Sequence, residues 1–67
     1  MRHVVMYQDE DDYWFIQCPS LPGCFSQGET PESALENIKE AIALWIEDAQ
    51  AHGEEIPPDV EPQLAMV

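Results

Sequence analysis

Fourteen Asp and Glu residues against two Lys and Arg make carboxylate the commonest reactive group in this 67-residue chain. Asp9, Glu10, Asp11 and Asp12 stand together in QDEDDYW, and hard cations favour several carboxylate oxygens. A calcium loop also requires a Gly and a distal Glu at fixed offsets, and neither is present. The cluster reads instead as a solvated hairpin tip whose charge discourages edge pairing. Two-metal nucleases need carboxylates that converge, whereas Glu29 and Glu32 flank a helix start far from that tip. His3 and His52 lie in no recognisable motif, and a general base needs a nucleophile or substrate within hydrogen-bond reach. Ser20, Ser26 and Ser33 lack G-x-S-x-G surroundings, and Gly23 and Gly28 form no phosphate loop. No catalytic residue, metal or cofactor is assigned.

Cys18 and Cys24 are spaced C-x5-C, which is not a standard zinc spacing. They flank one hairpin loop, so a disulfide is geometrically conceivable. In a reducing compartment the expected state is two free, largely buried thiols. That compartment follows from the absence of any run near the roughly 20 apolar residues that span a bilayer, and of an apolar signal core in MRHVVMYQDE. The expectation is therefore cytoplasmic.

The formal net charge of −12 argues against direct nucleic-acid binding, because Arg2 and Lys39 stand alone and phosphate binding requires clustered cations. Such a surface either maintains solubility or attracts a basic protein and speeds the encounter. At this length a chain buries only about 60% of its unfolded surface, which makes homo-oligomerisation a source of stability. One domain spanning 1–67 is expected.

The positioning elements follow from local chemistry. RHVVMYQ, residues 2–8, and YWFIQC, residues 13–18, are β-rich and form a hairpin across the acidic tip. Pro22 and Gly23 spell a type II turn, after which Cys24–Gln27 makes a third short strand. Thr30 is an N-cap with Pro31 at the first helical position and Glu32 beside the positive end of the dipole. Leu35, Ile38, Ile42, Trp45 and Ala49 form an apolar stripe, with Ala34, Ala41 and Ile46 flanking it. Gly53 and the pair Pro57–Pro58 end the helix near His52. The tail VEPQLAMV is apolar enough for a last strand, added in parallel through a right-handed crossover. The expected fold is α+β, in the order β-β-β-α-β.

Trp45 belongs to the stripe and so to the core. Tyr13, Trp14 and Phe15 are consecutive, and neighbours on a strand face opposite ways, so at least one ring must lie on the sheet face away from the helix. That surface calls for a strand-mediated dimer or another protein to cover it. Leu44 lies opposite the stripe, either as an ordinary exposed leucine or as a contact with another chain. The candidate partner-binding residues are Trp14 and Leu44 with the helix acids Glu36, Glu40 and Glu47.

Pro19, Leu21, Pro22, Gly23 and Cys24, then Gly28, Glu29, Thr30, Pro31, Glu32, Ala34 and Leu35, and later Ala41, Gly53, Ile56 and Pro57 together resemble the HicB-like antitoxin family. Its pattern is approximately P-x-L-P-G-C-x-x-x-G-x-T-x-x-E-A-L, then a helix, then G-x-x-I-P, and the similarity covers nearly the whole chain. The resemblance implies a three-stranded antiparallel sheet with one helix and a further strand, a cut-down relative of the ribonuclease H fold. It also implies dimers or tetramers that neutralise HicA, a small basic toxin that cleaves messenger RNA, by binding it. An acidic inhibitor suits such a partner. The family pattern tends to have a Gly where Asp12 stands and a Glu where Ser33 stands. Many members carry a C-terminal DNA-binding module of helix-turn-helix or ribbon-helix-helix type. This chain stops at Val67 with a short tail, so direct DNA contact is not expected of it. The leading expectation is a non-enzymatic antitoxin. The rivals are a solitary regulatory or structural oligomer with no toxin and a metal-dependent nuclease.

Overall fold

The two prolines after the second strand set the geometry of everything downstream. In the computed structural model, which describes all 67 residues, Pro19 occupies the second position of a turn closed by the Leu21 amide on the Cys18 carbonyl at 3.1 Å. Pro22 and Gly23 form the next turn, closed by the Cys24 amide on the Leu21 carbonyl at 3.1 Å, with Gly23 at φ +76°. That is the type II arrangement, whose third position favours a residue without Cβ. The turns reverse the chain between β2 (Trp14–Gln17) and β3 (Phe25–Gly28). With β1 (Val5–Gln8) these make an antiparallel sheet of order β1-β2-β3. Its register sets Met6 opposite Ile16 and Ile16 opposite Ser26.

Helix α1 runs Pro31–Ala51. Thr30 Oγ1 accepts from the Ser33 amide at 3.1 Å, and Ser33 Oγ accepts from the Thr30 amide at 3.2 Å. Serine thus closes the reciprocal cap that a Glu makes in the resembled pattern. At the other end the Glu54 amide donates to the Ala49 carbonyl at 2.8 Å and the Gly53 amide to the Gln50 carbonyl at 3.1 Å. With Gly53 at φ +66°, this is a Schellman stop at the place expected from Gly53.

The helix lies on one face of the sheet. Ile16, Cys18, Leu21, Cys24, Ala34 and Ile38 are the buried cluster, with Trp14, Ala41, Ile42, Trp45, Ile46 and Ile56 packed around it. Two side-chain bonds fasten the layers: Asn37 Nδ2 donates to the Gln27 carbonyl at 2.7 Å, and Trp45 Nε1 to the Pro22 carbonyl at 2.9 Å. The stripe is rotated slightly from its expected centre. Ala34 and Ile38 are buried, whereas Leu35 lies at the margin with 38% of its surface exposed. Small alanines let the helix come close to the sheet, which turns Leu35 toward an apolar groove of about 530 Å³ also lined by Val4, Ile42 and Ile46.

The last expected strand is a correction. Residues 54–67 form no regular structure, so the element order is β-β-β-α. Ile56 docks on the core, but Pro57, Pro58 and Pro62 donate no ladder hydrogen bonds. Val60, Leu64, Met66 and Val67 stay exposed. The first strand is also shorter than expected, at four residues rather than seven.

Asp12 adopts φ +64°, the region where the resembled pattern supplies Gly. Asp12→Gly is expected to raise stability by about 0.5–1 kcal/mol, because a residue with Cβ is strained there. A thermal melt followed by circular dichroism checks this, and a lower Tm would count against it.

Candidate functional site

The hairpin tip is built for turning rather than for cation binding. Asp9 Oδ1 accepts from the Asp11 amide at 2.9 Å and the Tyr13 amide at 3.0 Å, and the Asp9 amide donates to the Tyr13 carbonyl at 2.8 Å. One carboxylate is thereby committed to the backbone. Nowhere do three His, Cys, Asp or Glu side chains come together in a way that could hold a metal. No helix is long and apolar enough to cross a membrane.

Both cysteines are free and buried. They face each other across the loop between β2 and β3, the Cys18 amide donating to the Cys24 carbonyl at 2.9 Å. Burial, and secondarily the neighbouring Cys18, pushes the Cys24 thiol above its ordinary range, the opposite of what a nucleophile needs. The histidines serve the backbone. His52 caps the helix, its Nδ1 lying 2.8 Å from the Asp48 carbonyl. That bond, and then the Asp48 carboxylate, raise its pKa. This support for the helix end is complete at acid pH and is lost as pH rises through the raised pKa.

His3 holds the tail. Its Nδ1 lies 2.6 Å from Asp59 Oδ2, and its amide donates to both Asp59 oxygens at 3.1 and 3.2 Å. The hydrogen bond from the His3 side chain is the main reason that the Asp59 carboxyl is held below its ordinary range. A lowered acid pKa stabilises above the unfolded value and ceases to as pH falls through the folded one. The tether is therefore expected intact above about pH 4 and released in stronger acid. Amide relaxation of Asp59 and Val60 by NMR measures this, and unchanged order at pH 2 would contradict it.

The solvent side of α1 is anionic. Leu44 is 66% exposed there. Glu40 and Asp48 lie one turn to either side of it, with Glu47 three residues on, so all three neighbour the leucine. Leu44, Glu47, Asp48 and Ala51 outline a shallow depression. Glu36 lies one turn before Glu40, and Lys39 is the only cation on the helix, 3.3 Å from Glu36. The other cation, Arg2, is committed to Ser20 Oγ at 2.9 Å. Like charges four residues apart cost a helix a few tenths of a kcal/mol, so this face is not arranged for helix stability.

Of the five candidate residues, Leu44, Glu36, Glu40 and Glu47 share this face. Trp14 does not: it lies half-buried on the helix side of the sheet, packed against the core and opposite Gly28. The rings turned the other way are Tyr7, Phe15 and Phe25. The consecutive aromatics show that at least one ring faces that way, but that it is Phe15, joined by Tyr7 and Phe25, required the strand register.

Comparison with known proteins agrees with this fold. The family model described as HicB_like antitoxin of bacterial toxin-antitoxin system matches residues 3–66. The UPF0150 protein Ta0767 of Thermoplasma acidophilum is 52% identical over 56 residues, covering 84% of this chain and 81% of that protein. The UPF0150 protein ssr1765 of Synechocystis is 41% identical, covering 84% of this chain and 71% of the relative. Among solved structures, the N-terminal domain of the Burkholderia pseudomallei antitoxin HicB superposes with a TM-score of 0.71 at 30% identity, over 94% of this chain and 69% of that one. The match of the family model over nearly the whole chain, with these relatives, identifies this chain as a member of the HicB-like antitoxin family.

Proposed function

We propose that this protein is a non-enzymatic antitoxin that sequesters a small, basic, mRNA-cleaving toxin of HicA type. The observation that carries the reading is the outer face of α1, where an exposed leucine is surrounded by carboxylates. Opposite charge steers the encounter and sets the partner's orientation, and the leucine supplies apolar contact once water is expelled. The inhibited site is the partner's. Its setting in this reading is the cytoplasm, where the thiols stay reduced. The chain acts as a homo-oligomer, a dimer or tetramer, and the sheet and helix are kin to a cut-down ribonuclease H fold.

Co-expression with the short basic protein encoded beside this gene tests the reading. Co-purification and rescue of growth are expected. A neighbouring basic toxin that neither binds nor is neutralised would refute it. The rival of a solitary oligomer draws its support from the uncharged aromatic side of the sheet, and it requires the absence of any such neighbour.

A further inference from the structure

Helix α1 carries one cation among its acids, and that cation stands in an otherwise apolar row. Leu35, Lys39, Ile42 and Ile46 follow one another at intervals of four, three and four residues, which sets them within about 60° around the helix. The row borders the groove of about 530 Å³, which Val4 and Arg2 also line. Both cationic side chains of the chain, Arg2 and Lys39, therefore meet at one groove, and none of its lining residues is among the fourteen acids. The Lys39 contact with Glu36 does not account for this placement, because both side chains are exposed and such a pair contributes little.

We propose that the groove binds a free medium-chain carboxylate, an unbranched apolar chain of about ten carbons with an anionic head. The dimensions and the charges select this occupant. Small-molecule sites enclose about 300–1,000 Å³, and the groove falls within that range. From Leu35 to Ile46 the row runs about 16 Å along the helix axis, enough for a chain of about ten carbons. Lys39 lays its stem along the row and keeps its ammonium in water, with 70% of the side chain exposed, where it can meet the head. Arg2 gives one donor to Ser20 Oγ, and its guanidinium has others to offer. A basic protein would meet like charges here, and a second copy of net charge −12 would be repelled as it approached. The acids repel the ligand as well, but screening over a Debye length of about 8 Å leaves the cations at the groove dominant. Leu35 and Leu44 are nine residues apart and so point to opposite sides of the helix. The ligand thus leaves the acidic face free, and the proposal does not depend on the toxin.

Methyl NMR of the full chain titrated with sodium decanoate, at about pH 7 and below its micelle-forming concentration, tests the site. Shifts at Leu35, Ile42 and Ile46 are expected, with a Kd of about 100 μM. Octanoate should bind about tenfold more weakly, because it buries two fewer methylenes. Decyltrimethylammonium carries the same chain with the opposite charge and is expected to bind at least about tenfold more weakly than decanoate, the reverse of what a merely acidic protein would do. Lys39→Glu, at an exposed position, should weaken decanoate binding by about tenfold, and Lys39→Arg should stay within about threefold of wild type. Arg2→Gln keeps an amide donor for Ser20 and separates the charge of Arg2 from its structural bond. No binding at about 1 mM decanoate would overturn the proposal. So would equal affinity for the cationic amphiphile, unchanged binding by both Lys39→Glu and Arg2→Gln, or shifts confined to the sheet rings. Nuclear Overhauser contacts from Leu64 or Met66 to Ile42 in the free protein would also overturn it, since the chain's own tail would then fill the groove.

Discussion

Replacing Gly28 with alanine is expected to cost about 3 kcal/mol or more, most of the stability that a chain of this size has. Gly28 closes β3 where the helix begins, and it is buried. A Cβ there would fall inside Ser33 Oγ and lie 2.5 Å from the Ala34 amide nitrogen and 2.9 Å from the Ser33 carbonyl carbon. Two of these three atoms are backbone in the first turn of α1, so no rotamer change makes room. The helix would have to lift, breaking the reciprocal cap and drawing Ala34 out of the core. Gly53 makes a useful contrast, having nothing within 4 Å of its Cβ position. Gly53→Ala should cost only about 1 kcal/mol, from the left-handed backbone alone. Thermal melts are expected to show a fall in Tm of at least about 12 °C for Gly28→Ala. A Tm within about 3 °C of wild type would mean that the helix is not seated on β3 as described.

Reversing Glu36, Glu40 and Glu47 together to lysine is expected to slow association with a basic toxin by about 100-fold at low salt. The three changes move the net charge from −12 to −6, and all the gain falls on the helix face proposed to meet the partner. The fold should persist, because these side chains are exposed, the Glu36 and Glu40 repulsion is exchanged for one of the same size, and loss of the exposed Glu36–Lys39 pair costs only a few tenths of a kcal/mol. Stopped-flow association rates should converge with wild type as salt shortens the Debye length. An on-rate within about threefold of wild type at low salt would place the encounter elsewhere.

Features enforced within a few residues were legible in the chain. Thr30 and Pro31 start the helix and Gly53 stops it because the donors and acceptors they satisfy, or lack, belong to the adjacent turn. Pro22 and Gly23 likewise dictate their own backbone angles. What depended on long-range register was less legible. Tyr13, Trp14 and Phe15 offer no polar alternation, so only pairing with β1 and β3 decides that Trp14 joins the core while Phe15 joins Tyr7 and Phe25 outside. Leu35 fits the helical stripe, yet the close seat of Ala34 on the sheet turns it to the margin. The tail is apolar by composition, but its prolines and the lack of a partnered edge leave it without a ladder. The anionic helix face was readable as residues at helical spacing, and its availability became clear only once the opposite side was seen to be packed.

Methyl and aromatic NMR of this chain, titrated with the basic protein encoded beside it, tests the central claim most directly. The Leu44 methyl signals are expected to shift on binding while the ring signals of Tyr7 and Phe25 stay in place. Shifts confined to the sheet rings, with Leu44 unmoved, would contradict the assignment of the acidic helix face to the toxin.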